Sequence, residues 1–248
     1  MPTAAGRASL TGPGEADQEP GRLTLRRSFW PLAYCVWAGL AIAFSLALAG
    51  LKPESVTRLQ VLGFLLAQLL FRRPLLRGFS PLPPKARFIA LATLLAAVVE
   101  AFHMISTPVF LSLRIDRTTP LAQACTRYGL DLLFTLPAYL VIFTVLWSYV
   151  RRYQYSFWLY VVLMGLAQAL GDGGLFFFAA SPALLAFLPY PMSNYHAVNV
   201  LPFLAVRDEL PAARSASPWR YTALPAIIAT YLVCGAGIRL VGRLCGLE

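Results

Sequence analysis

Long apolar runs separated by short polar or basic stretches set the architecture of this chain. The runs predict membrane-spanning helices at about 30–50, 57–71, 88–113, 128–150, 155–178, 190–206 and 221–241. Each approaches the ~20 helical residues that cross a hydrocarbon core of ~30 Å. Trp30 and Tyr34 open the first run as interfacial aromatics. A basic, proline-rich loop spans 72–87, and AASPALLAFLP, broken by Pro182 and Pro189, reads as a short outer turn. The fold class is all-α, a polytopic transmembrane helix bundle of seven spans, with six as the alternative if 179–206 does not cross. Residues 1–29 read as a disordered tail, 30–87 as two additional helices with a basic loop, and 207–248 as a loop and the final span.

Charge sets the orientation. With the amino terminus inside, seven spans place 14 Lys/Arg on inner segments and 7 on outer ones, and six spans place 13 and 8. Both splits favour an amino terminus inside. The chain is 58% hydrophobic and 13% charged, against ~25% charged for a soluble domain. Its net charge of +10 flanks apolar runs and forms no basic patch with interleaved aromatics, so a nucleic-acid partner is not expected. Cysteines at 35, 125, 234 and 245 form no Cys-x-x-Cys pair, and with two histidines they give no metal-ligand spacing. No metal or cofactor is expected. Membrane lipids are the expected surroundings, and the oligomeric state is left open.

Polar residues inside the apolar runs mark candidate chemistry. Glu100 lies twelve residues past Phe88, near the midplane of the third expected span, and His103 shares its helix face. Ionisable groups at that depth are costly and imply a polar cavity. Asp131 is expected in the first turn of the fourth span, favouring the helix dipole or pairing with Arg127. Asp172 lies in the outer half of the fifth span within Gly171-Asp172-Gly173-Gly174, where it marks a helix break. Asn194, Tyr195, His196 and Asn199 occupy the sixth. Their shared depth implies one polar pocket among spans three to six. The bland reading of each is a helix cap or an interhelical hydrogen bond.

Four local stretches then carry a resemblance. EAFHMISTP from Glu100 to Pro108, DLLFTLP from Asp131 to Pro137, Gln168-x-x-Gly171-Asp172, and YHAVNVLPF from Tyr195 to Phe203 appear in this order. Together they resemble the four helices of EXPERA-domain membrane proteins, the family of the sterol Δ8–Δ7 isomerase and the sigma-2 receptor, over roughly 90–206. Thr107 stands where the isomerase carries a glutamate after its histidine, and Ala138 or Tyr139 stands at the place of its second-helix acid. The resemblance implies an EXPERA-like four-helix core at 88–206 and an apolar, sterol- or isoprenoid-like ligand. It implies catalytic roles for Glu100, His103 and Asp172, if the protein is an intramembrane isomerase or cyclase. It also implies ligand contacts from Asp131, Thr107, Gln168, Asn194, Tyr195, His196 and Asn199. The location would be an integral multi-pass protein, in the endoplasmic reticulum if the source is eukaryotic. The alternatives from other classes are a small secondary transporter with an intramembrane proton relay and a non-catalytic lipid-trafficking or scaffold protein.

Overall fold

The computed structural model describes residues 20–211 and 216–247, with side chains from Phe29 onward. The expected tail at 1–19 lies outside the described residues, and 20–29 is helical. Nine α-helices are found among the described residues: α1 (Pro20–Ala49), α2 (Pro53–Leu70), α3 (Arg72–Phe79), α4 (Pro84–His103), α5 (Leu121–Arg152), α6 (Phe157–Ala169), α7 (Leu175–Ala180), α8 (Pro189–Val206) and α9 (Ala223–Leu244). Proline opens α2, α4 and α8, where its missing N–H and fixed φ cost nothing.

Five helices are long and apolar enough to cross a membrane, and the bent pair α2–α3 makes six. The remaining interior helix, α8, has 18 residues, 12 of them buried. The chain thus has the composition of a multi-pass membrane protein. The expected basic loop at 72–87 contains α3, which turns by 77° from α2.

The described residues form two units, one ending at Val36 and the other beginning at Trp37. Within the larger unit, α8 packs against α4, α6 and α2, while α9 packs against α5 and α6, and α4 packs against α5. The helices α4, α5, α9, α6 and α8 therefore close a ring. Phe88, Leu91, Phe143, Leu146, Met164 and Leu201 are buried along its seams. Trp37 Nε1 donates to Ala186 O at 2.8 Å, and Phe44 stacks on Phe187.

The third span is shorter than its apolar run. α4 ends at His103, not near Leu113, because the ring of Pro108 disfavours helical backbone at Thr107 and removes a donor. Glu100 thus sits in the last turn of α4 rather than midway along a long helix. The freed backbone finds a partner: Val109 N–H donates to Asp131 Oδ1 at 2.9 Å. α5, in turn, begins at Leu121, directly after Pro120. Asp131 is therefore in its third turn, away from the helix end where a dipole would favour it. Its expected partner Arg127 instead donates to Arg114 O at 2.5 Å.

At the opposite end of α4, Arg87 is a clasp. It donates to the carbonyls of Phe79, Ser80, Leu82 and Ala205 and pairs with Glu209. One buried guanidinium satisfies four carbonyls that end α3, its turn and α8, which a lysine's point charge would match less well.

Candidate functional site

A cavity of about 510 Å³ opens among the helices of the ring. Its site begins with the kink between α6 and α7. Gly173 has φ +94°, a conformation that side chains disfavour, and Asp172 just before it leaves helical geometry with ψ 39°. The break turns the Asp172 side chain toward α8, where Tyr195 Oη donates to Asp172 Oδ2 at 2.5 Å. Gly171 lets α9 approach, since a Cβ there would stand 2.7 Å from Tyr231 Cβ. Tyr231 is thereby pressed into the site. Its hydroxyl donates to Gln168 Oε1 at 2.9 Å, and its ring meets Tyr195 edge-on at 6.1 Å.

On the facing wall, Tyr139 of α5 donates its hydroxyl to Glu100 Oε1 of α4. His103 Nδ1 lies 3.0 Å from Thr107 Oγ1. Glu100 and His103 both line the cavity but bond to different partners, not to each other. Thr107, Asp172, Asn194 and Tyr195 line it with them, and Ala96, Val99, Ala138, Ile142, Val198 and Ile238 supply apolar wall. Two carboxyl groups therefore meet the cavity, each already holding one tyrosine hydroxyl.

Four of the expected site residues lie elsewhere. Asp131 is fully buried between α5 and the turn after α4, bonded to Val109. Gln168 lies behind Tyr231, and its Nε2 donates to Met164 O. His196 packs against α6, where Gly165 has no Cβ because one would come within 2.5 Å of the imidazole. Asn199 is buried one turn deeper, and neither amide atom has a hydrogen-bond partner among the described residues.

The structure also adds residues. Tyr139, Tyr231, Cys234 and Arg239 line the cavity, and the last three come from α9. The sequence signal for Tyr139 was a hydroxyl eight residues, about two turns, beyond Asp131 in a run whose other polar residue there is Thr135. Tyr231 carried no signal of its own. Behind Asn194 stands Arg58 of α2, donating to Asn194 Oδ1 and to Ser193 Oγ at 3.1 Å while covering the Tyr190 ring at 4.3 Å. Among the described residues no group of three or more His, Cys, Asp or Glu is gathered to hold a metal ion.

Comparison with protein-family models, with curated proteins and with solved structures finds no match to this chain. What the fold defines is an all-helical chain of multi-pass membrane composition with a polar-centred cavity inside its helix ring.

Proposed function

We propose that this chain crosses the membrane seven times, amino end inside, and holds an apolar lipid of the sterol or isoprenoid class in the cavity between α4, α5, α8, α9 and the kink after α6. One observation carries the reading: Glu100 and Asp172, each bonded to a tyrosine, face one cavity whose lining also includes the aliphatic side chains of Ala96, Val99, Ile142, Val198 and Ile238. Cavities of ~300–1,000 Å³ with a few convergent polar groups suit small ligands. The hydrocarbon of the ligand lies against Val99, Ile142, Val198 and Ile238, and its polar group is oriented by the two carboxyl–tyrosine pairs. Seven spans are supported by α8, whose 18 residues extend ~27 Å at ~1.5 Å each. Its polar side chains are covered by neighbouring helices, so it needs less apolar character than a lipid-facing span.

The resemblance to EXPERA-domain proteins supports the same ligand class. Ala138 and Tyr139, at the place of the isomerase's second-helix acid, line the cavity, as does Thr107 at the place of its glutamate. In this chain Tyr139 binds Glu100 there. α9 adds a fifth wall to the four helices that the resemblance covers.

A second reading, double-bond isomerisation, draws on the separation of the two acids onto different helices. One acid gives a proton to an alkene carbon, forming a carbocation, and the other accepts a proton from the adjacent carbon, so the double bond moves and no proton is lost overall. Tyrosine faces stabilise the cation between the steps.

Lipid mass spectrometry of the purified chain tests the first reading. A co-purified sterol or isoprenoid lost in a Val198→Trp variant supports it. Solute flux in proteoliposomes without any retained lipid would instead establish a transporter, and a specific protein partner with neither would establish a scaffold. Turnover of a retained alkene lipid, abolished in Glu100→Gln with retention kept, decides the second.

A further inference from the structure

A second cavity lies away from the carboxyl pairs, at the end of the bundle where α4 begins and α5 ends. It measures about 1060 Å³ and is bounded by the start of α4 at Pro83, Pro84 and Lys85, by the end of α5 at Trp147, Ser148, Tyr149, Arg151, Arg152 and Tyr153, by Glu209 to Pro211 and by Thr222. Three cations line it: Lys85, Arg151 and Arg152, all exposed. Its one acid, Glu209, is already paired with Arg87. Among the described residues no carboxylate lies within ion-pair distance of the three cations. Arg152 covers the Tyr153 ring at 5.4 Å, a contact that steadies a guanidinium without neutralising it.

The remaining lining is mixed in a way that suits an amphiphile. Trp147 and Tyr153 are buried, Pro83 and Leu210 add apolar edges, and Ser148 and Thr222 present hydroxyls. The amino end of α4 adds the positive pole of its dipole to the same side. Arginines closing α5 also complement its last carbonyls, but that role requires neither a cavity nor Lys85 from another helix. Basic pockets between helices at the cytoplasmic face bind anionic headgroups.

We propose that this cavity is a binding site for the phosphate headgroup of an anionic phospholipid, separate from the interior cavity. Lys85, Arg151 and Arg152 neutralise the phosphate charge. The aromatic and proline edges take the glycerol and the first acyl carbons, which a cavity this much larger than a lone phosphate accommodates. The site does not depend on the identity of the interior ligand.

The test uses the full chain in a neutral detergent, titrated with phosphatidylglycerol or phosphatidylcholine and read by native mass spectrometry. The wild type is expected to retain phosphatidylglycerol in preference to phosphatidylcholine. A Lys85→Gln/Arg151→Gln/Arg152→Gln variant is expected to lose about tenfold or more of that preference, since each basic residue near an anionic lipid contributes several-fold. Arg72→Gln/Arg73→Gln, which removes positive charge from α3 outside the cavity, is expected to leave it unchanged. Arg151→Lys/Arg152→Lys, which keeps the charge, is expected to retain most of it and guards against misfolding of the neutral variant. Glu100→Gln is expected to bind the phospholipid as the wild type does. Equal losses in the α3 control and the cavity variant would overturn the proposal, because they would mean non-specific charge attraction. So would an undiminished preference in the cavity variant. Inorganic phosphate displacing phosphatidylglycerol at equal concentration would also overturn it, by showing a free-anion site.

Discussion

Tyr139 of α5 gives its hydroxyl hydrogen to Glu100 of α4, and that bond joins the two helices across the wall of the interior cavity. It makes the carboxyl group an acceptor first. The amide oxygen of a glutamine accepts in the same way. Glu100→Gln should therefore fold with a stability within ~1 kcal/mol of the wild type, whereas Glu100→Leu strands the Tyr139 hydroxyl and should cost about 1–3 kcal/mol. Thermal unfolding in detergent compares the two variants. Equal losses would mean that the hydrogen bond does not hold the seam.

Asp131 separates fold from ligand. Its carboxylate receives the Val109 N–H that Pro108 leaves outside α4. Asp131→Ala should destabilise by about 1–3 kcal/mol, because a buried donor loses its acceptor, and Asp131→Asn should recover most of that. Neither should change lipid retention in protein that remains folded, since Asp131 does not line the cavity. Selective loss of lipid in folded Asp131→Asn would show that its carboxylate is part of the site.

Gly171 is where α9 reaches the kink. A methyl group there would meet Tyr231 Cβ at 2.7 Å and Ile228 Cα at 3.2 Å, and backbone cannot yield as a side-chain tip can. Gly171→Ala should cost about 1–3 kcal/mol by overpacking and should weaken lipid retention by displacing Tyr231. Gly237→Ala, on α9 with nothing within 4 Å of the new methyl, should be neutral or stabilising by up to ~1 kcal/mol. Indistinguishable melting of the two variants would refute the close approach.

Topology is readable from cysteines. Cys125 and Cys245 are exposed. In single-cysteine variants, seven spans with an inner amino end make both of them label from outside, and Ala216→Cys label from inside. The outcome that would establish six spans is Cys245 labelling from the inner side with Ala216→Cys labelling from the outer.

The turn before α5 carries a pH dependence. Asp116 accepts from Thr118 Oγ1 at 2.7 Å, from Thr118 N at 2.8 Å and from Thr119 Oγ1 at 3.0 Å. These bonds, Thr118's hydroxyl foremost, hold its carboxyl down to about 2. A group lowered in the folded state stabilises fully above its unfolded value, about 4 for an aspartate, and the contribution is lost as pH falls from there through about 2. Amide exchange at Thr118, corrected for intrinsic rate, should show protection falling over that window in the wild type and no such step in Asp116→Asn. A flat profile in the wild type would refute the assignment.

The sequence alone determined the membrane-helical class, because twenty-residue apolar runs have few other stable homes. It also located the kink at Asp172, since a Gly-Asp-Gly-Gly run cannot propagate a helix well, and it singled out Glu100, His103, Thr107, Asp172, Asn194 and Tyr195. Hydropathy by itself could not end α4 at His103, because the run continues unbroken to Leu113 and only a proline marks the stop. Nor could it sort Asp131, Gln168, His196 and Asn199 from the cavity residues. All are polar groups at similar depth, and depth fixes height along a helix but not which neighbour each face meets. Only the tertiary structure brought α9 against α5 and α6, closing the ring with Tyr231. That contact joins residues sixty positions apart through a glycine's missing Cβ, and nothing local to either segment encodes it. The same assembly gave each cavity acid its own tyrosine partner from another helix.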